Sequence, residues 1–382
     1  MKKNKNSTYN KYLSVFYIFF VLSLLAVALF NFKIDPENIY KKFSKNQKEE
    51  ESFSISYVKK LISSKTGLFY RNDLINERDI KYSLSAHPTE AECAILGSSP
   101  VLQISSFRNI KSLSSICSSL INLGTTAAVL EDYLIFSEKL FLNKQAPSKI
   151  IISVHPYTFN LNRDAQWLRY KSDYEKIKDE IMFDKKDFKV NKIKKNYYTI
   201  LLENLINMKY FLKSYEIFSL KEKLKIEEVK ILDYKYGMKH HVLLPDGSLI
   251  YSRKNIDRKM KRGIDGYSGI QNYKIKIKNI YNPYAIKMFN RLIEHLSKKF
   301  EVIIILIPYH PSVWNFPEQP AVKAMKIVEP IVIDIAKQNN ISLYGSYNPK
   351  NILCKSNEYY DEIHTMSSCL EKIEKFQRVK KN

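Results

Sequence analysis

Between Lys11 and Lys33 the chain carries no charged side chain: Tyr12 to Phe32 reads YLSVFYIFFVLSLLAVALFNF. At a helical rise of 1.5 Å per residue this run spans about 30 Å, the hydrocarbon thickness of a bilayer. A cleaved signal peptide competes for the same residues, because Ala26 and Ala28 resemble a cleavage site. The apolar core of such a peptide is shorter, however, at about 7–15 residues. The expectation is an uncleaved anchor. Lys2, Lys3, Lys5 and Lys11 precede the span, and basic residues keep their side of a span cytoplasmic. Lys41, Lys42, Lys45 and Lys48 follow it and narrow the asymmetry. This reading divides the chain into a cytoplasmic tail (1–11), a transmembrane anchor (12–32), a polar stalk (33–55) and an extracytoplasmic domain (56–382). Outside the cytoplasm, disulfides can form.

Lys and Arg number 62 against 39 Asp and Glu, a net charge of +23. Such a balance suits nucleic acid, anionic lipid or an acidic polymer. Lys is spread along the whole chain, no basic helix or aromatic-basic motif of a nucleic-acid module stands out, and the anchor puts the domain on the wrong side for nucleic acid. Nucleic acid is therefore not an expected partner. With 45% hydrophobic residues the chain can bury a core. Its four cysteines, Cys93, Cys117, Cys354 and Cys369, are too few for a disulfide scaffold and lack a CxxC metal spacing.

Within 56–382, short apolar runs alternate with amphipathic segments. AECAILGSS (91–99), SLINLG (119–124), SKIIISVHP (148–156), EVIIILIPYHP (301–311) and ISLYGS (341–346) read as buried strands. Residues 126–142 and 282–300 read as helices, and 321–340 as a helix broken at Pro330. The pattern predicts an α/β fold with a mostly parallel sheet flanked by helices, whose chemistry collects at the carboxyl ends of the strands. The Lys-rich stretch 165–275 reads as helical and irregular, with a hairpin around Asp246-Gly247.

Three features sit where such a sheet would place a site. Gly97-Ser98-Ser99 ends the first strand, where a sharp turn exposes a hydroxyl and a following helix N-terminus would favour an oxyanion. Asp361 and His364 form an Asp-x-x-His pair, whose carboxylate can fix the imidazole tautomer that leaves Nε2 as a base. Chance alone supplies close to one such pair in this composition, so its place after a strand and loop carries the argument. Cys354 and Cys369 bracket the pair, and a disulfide between them would staple it, whereas Cys93 and Cys117 read as core residues. His155 and His310 each stand in a strand-end His-Pro and, with Tyr157 and Ser98, are pocket candidates. Two imidazoles without a nearby acid make a poor ligand set, so no metal is expected.

The order ILGSS, NLGTTAAVLEDY, IIISVHPYTFN, IIILIPYHP, YYDEIH resembles the SGNH/GDSL hydrolase superfamily. It looks most like the membrane-anchored, polysaccharide-associated branch of alginate O-acetyltransferase-type and D-alanyl-transfer-type proteins. The resemblance covers about residues 90–375 and implies that the stretch 165–275 is an insertion. It implies Ser99 as nucleophile, His364 as base and Asp361 as its orienting acid. It implies oxyanion donors from the Asn122-Leu123-Gly124-Thr125-Thr126-Ala127 block, with Gly124 and Ala127 as candidates and Ala127 in the place of the usual last Gly. The third block departs from the family pattern: His155-Pro156-Tyr157 stands there, with Asn160 three positions later as the nearest amide. Pro100 replaces an Arg frequent in the anchored branch, and Ser98 replaces the Asp of Gly-Asp-Ser.

The resulting expectation is an extracytoplasmic serine esterase or O-acyltransferase that needs no cofactor. It would act on an acylated or anionic cell-surface glycan, beside partners of polysaccharide biosynthesis. The alternative is a catalytically inactive SGNH-like protein that binds or scaffolds such a glycan.

Overall fold

A computed structural model of the chain describes residues 3–35, 40, 47–70, 75–108, 113–161, 166–182, 199, 201–219, 240–262 and 282–381. Much of the Lys-rich stretch, including ILDYKYGM (231–238), lies outside the described residues. The chain forms two compact units, Met1–Lys48 with Asp184–Leu224 and Glu49–Phe183 with Lys225–Asn382.

The first unit is built on the helix Lys3–Ile34. Its segment Lys11–Ile34 is long and apolar enough to cross a membrane, with a mean hydropathy of 2.7. Phe16, Phe19, Leu22 and Leu25 are all exposed on it. A second helix, Met208–Ser219, packs against its C-terminal end.

The second unit carries two sheets. The smaller is antiparallel and joins β1 (Leu68–Tyr70), β5 (His241–Leu243) and β6 (Leu249–Ile250). The larger is built from β2 (Cys93–Leu96), β3 (Leu120–Asn122), β4 (Lys149–Ser153), β7 (Glu301–Leu306), β8 (Ser342–Gly345) and β9 (Gln377–Val379). Its six strands lie in the order β3-β2-β4-β7-β8-β9. All neighbours are parallel except β8 and β9. The central strands CAIL, KIIIS and EVIIIL are apolar on both faces and almost wholly buried, as a sheet covered by helices on each side requires.

Several expectations change. The helix Gln47–Ser63 takes up the last nine residues of the expected stalk, and its Ser54, Tyr57, Val58 and Leu61 are buried. The helix Pro320–Gln338 runs through Pro330 unbroken. Pro330 and Lys326 both lie on its exposed side, so water can satisfy the Lys326 carbonyl that loses its helical donor. Cys93 and Cys117 are buried as expected of core residues, but they are also bonded to each other, and Cys354 is bonded to Cys369. The 15-residue separation of the latter pair corresponds to about 3 kcal/mol of unfolded-chain entropy.

The hairpin around Asp246-Gly247 is present, and it is bonded to the loop after β2 and to β3. Asp246 accepts from Ser248 N and Oγ in its own turn and from Ser105 Oγ (2.6 Å) and Ser106 N (2.9 Å) in the loop after β2. Gly247 has φ +81°, and a Cβ there would stand 2.6 Å from the Asn122 carbonyl. The wholly buried Lys81 donates to the carbonyls of Asn122 and Gly247 and so ties the hairpin to β3. Burial pulls its pKa down to about 8, against the opposing pull of Glu77 and Asp246. Lys81→Met strands two carbonyls away from water. It should lower stability by about 2–4 kcal/mol, read as a shift of the urea midpoint. An unchanged midpoint would contradict the tie.

Candidate active site

The turn that leaves β2 is shaped by two close approaches. A Cβ at Gly97 would lie 2.8 Å from a Val101 methyl, and one at Gly124 would lie 2.3 Å from another. Only glycine at both positions lets the turn after β2 pack against the end of β3. Asn122 then fixes that turn: Nδ2 donates to the carbonyls of Val101 (2.7 Å) and Ile104 (2.9 Å), and Oδ1 accepts from Gly124 N (2.9 Å). Ser99 opens the resulting 3-10 turn Ser99–Gln103, and Pro100 suits the second position, where a missing N–H costs no bond within the turn. The element is five residues long, shorter than the helix expected there. Ser99 is half-buried, whereas Ser98 is fully buried, and its Oγ has no partner among the described residues.

His364 reaches the same place from the far end of the sequence. Ser99 Oγ lies 2.9 Å from His364 Nε2. On the other side of the ring, His364 Nδ1 lies 2.7 Å from each oxygen of Asp361. The local turn makes this pairing: Asp361 Oδ1 also accepts from the backbone N–H groups of Ile363 (3.0 Å) and His364 (2.8 Å). The Cys354–Cys369 bond brackets the turn, and both sulfurs are buried in the core beside Tyr359.

Lys259, on the helix Arg253–Arg262, is the residue that sequence reasoning missed. Its Nζ lies 2.7 Å from Asp361 Oδ2 and 2.7 Å from His364 Nδ1, and 5.0 Å from the centroid of the buried Tyr251 ring. One of many lysines in a basic stretch, it carried no signal in spacing or composition. Its position creates a conflict at Nδ1. A ring nitrogen either holds a proton and donates, or has a lone pair and accepts. If Nδ1–H donates to Asp361, Nε2 faces Ser99 with a lone pair and can act as a base. If Lys259 donates to Nδ1, the neutral ring carries its proton on Nε2 and donates to Ser99 Oγ.

The charges around the ring have definite directions. Burial opposes ionisation of Asp361, yet His364 and Lys259 together hold its carboxyl well below the usual range. Burial lowers the His364 pKa, Asp361 raises it, Lys259 lowers it, and the net shift is downward. Lys259 is also shifted downward, first by burial and then by Arg258, against the pull of Asp361 and Glu362.

Of the expected oxyanion donors, Gly124 is excluded, because its N–H is already given to Asn122. Thr125 N–H goes to Gly97 O, Thr126 N–H to Glu77, and Ala128 N–H to Thr125 O. Ala127 N–H is left without an acceptor among the described residues, as is that of Ser99. Ala127 has φ +55°, so at the position of the usual Gly of this block stands a residue in the left-handed conformation that glycine adopts most readily. Asn160 is half-buried, and no hydrogen bond joins it to Ser99 or His364 among the described residues. His155 and Tyr157 are buried and stacked, with ring centroids 5.3 Å apart. His310 accepts from Ser312 N and packs its ring edge-on to Tyr359, so it caps a turn. Glu92, Cys93 and Cys117 come within metal-ligand reach of one another, but the disulfide removes both thiolates.

No protein-family model matches the chain, and no curated protein matches it at a significant level. Because folding lowers the His364 pKa, the folded state takes up a proton there less readily than the unfolded chain. Stability should be lost as the pH falls from about 6.5 toward the folded pKa. An NMR titration of the His364 ring should give a pKa below 6.5; a value above it would contradict this balance of burial and charge.

Proposed function

We propose that the chain is an extracytoplasmic serine acyl-transfer enzyme of SGNH type, an esterase or O-acyltransferase acting on a cell-surface polysaccharide. The observation that carries this reading is the line Ser99 Oγ, His364 Nε2, His364 Nδ1, Asp361, with each contact at hydrogen-bond distance. In this reading His364 takes the Ser99 proton as Oγ attacks an acyl carbonyl, and Asp361 orients the ring and stabilises the imidazolium. The N–H groups of Ser99 and Ala127 receive the oxyanion. The acyl-enzyme then passes its acyl group to water or to a sugar hydroxyl. The apolar Lys11–Ile34 segment and the basic residues before it support a single-pass anchor with its N-terminus in the cytoplasm. The net charge of +23 favours an anionic glycan and, beside it, the proteins that assemble such a polymer.

One observation favours the second reading, a glycan-binding member of the fold without catalysis: Lys259 Nζ lies as close to Nδ1 as Asp361 does, and its donation there would select the tautomer that disarms Nε2. The two readings separate on a fluorophosphonate probe. The enzyme reading expects covalent labelling of Ser99, lost in Ser99→Ala and His364→Ala, with more remaining in Asp361→Asn. Lys259→Met should label faster, by about tenfold, the worth of one hydrogen bond of ordinary net strength. Its acid limb should also move to higher pH, because a positive charge near His364 is gone. Absence of labelling in both the parent chain and Lys259→Met favours the binder. Labelling lost in Ser98→Ala but kept in Ser99→Ala transfers the nucleophile to Ser98.

A further inference from the structure

The helix Met208–Ser219 has three sides, and only one is accounted for by packing. Asn207 starts it, with Oδ1 accepting from Lys209 N (2.8 Å). The packed side meets the end of the apolar helix through buried polar pairs: Tyr210 OH donates to Asp35 (2.6 Å) and Ser214 Oγ donates to Asn31 (2.9 Å). The ring of Phe30 adds contacts to Phe211 and Phe218, with centroids 5.5 and 5.6 Å away. As the numbers rise from 210 to 218 their partners fall from 35 to 30, so the two helices run antiparallel. The second helix thus turns back alongside the apolar span. Hydrogen-bonded polar pairs of this kind are the usual glue between helices in lipid.

Its second side is apolar and largely exposed. Met208, Leu212, Tyr215 and Phe218, with Leu202 and Ile206 just before the helix, are each more than half exposed. Met208, Leu212 and Tyr215 fall on one stripe by the three- and four-residue spacing of a helix, and Phe218 lies beside it. Lys209 and Lys213, also four apart, lie on the remaining side. An exposed apolar stripe of this size is costly in water. It is continuous, at the same level, with a span whose own apolar side chains are exposed.

We infer that the helix Met208–Ser219 is a second membrane-contacting element, whose Leu212, Tyr215 and Phe218 side lies in the lipid of the leaflet where the span ends. Its N-terminal end, with Lys209, stays at the headgroups, where a lysine stem can reach the polar layer. Twelve residues give a length of about 18 Å, enough to run from the headgroup level into the acyl region. This inference rests on the anchor reading and is independent of the triad. It makes the attachment two helices rather than one, and gives the first unit a defined orientation about the membrane normal.

All four cysteines are paired, so single cysteines can be introduced into the full chain in phosphatidylcholine vesicles. Leu212→Cys and Phe218→Cys should react with a membrane-impermeant maleimide about tenfold more slowly than Lys209→Cys. A bimane on either should be quenched by lipids brominated on the acyl chain, as should one on Leu22→Cys within the span. Equal reaction rates overturn the inference. Slow reaction without lipid quenching also overturns it, because protein then covers the helix. Quenching at Leu22→Cys but not at Phe218→Cys leaves the anchor standing and removes the second contact; quenching at neither removes both. Photo-crosslinking of the unsubstituted chain with a diazirine-bearing phosphatidylcholine should place adducts within 208–219, and adducts confined to the span would count against it.

Discussion

Four central strands, β2, β4, β7 and β8, lie parallel and buried, and that constraint decides where everything else can go. Parallel neighbours cannot be joined by tight turns, so each connection crosses a face of the sheet and returns to the same end. All carboxyl ends therefore open on one edge. Ser99 follows β2, His155 follows β4, His310 follows β7, and Asp361 and His364 lie on the loop after β8. Residues separated by 265 positions meet at hydrogen-bond distance because the sheet leaves their loops no other edge.

Much of this was legible in the sequence because it rests on local apolar patterning. The runs CAIL, KIIIS and EVIIIL cannot be surface strands, and the alternation with amphipathic helices implies crossovers. The Gly-Ser-Ser and Asp-x-x-His segments were legible as candidates by their place after strands. What escaped was long-range. Whether an N–H is free depends on which acceptor folds beside it, so nothing in NLGTTA shows that Gly124 donates to Asn122 while Ala127 keeps its N–H for another acceptor. Cys93 looks like a core residue because it is one, and only the placement of Cys117 makes it a disulfide partner. Pro330 looked like a helix breaker, but the freed carbonyl is on the wet side, where the break is not enforced. Lys259 was hidden by abundance: a basic chain offers no statistical reason to single out one lysine.

Lys259 also gives the site its character. A buried Asp-His pair normally leaves the imidazole one orienting partner; here an ammonium contests it and neutralises the carboxylate on which the ring depends. The aromatic face of Tyr251 and the carboxylate of Asp361 hold that ammonium in a setting that burial would otherwise disfavour. The same three groups thus stabilise the loop and bias the tautomer of the His364 ring. Fold and chemistry are coupled at one nitrogen atom.

The central claim is that Ser99 is an acyl acceptor activated by His364. Brief exposure of the full chain to 4-nitrophenyl acetate, an acid quench and peptide mass spectrometry test it most directly. One acetyl group should be found on Ser99, matched by one nitrophenolate released in a burst, and both should be absent when His364 is replaced by Ala. Acetyl found only on surface lysines, in equal yield with or without His364, would contradict the claim.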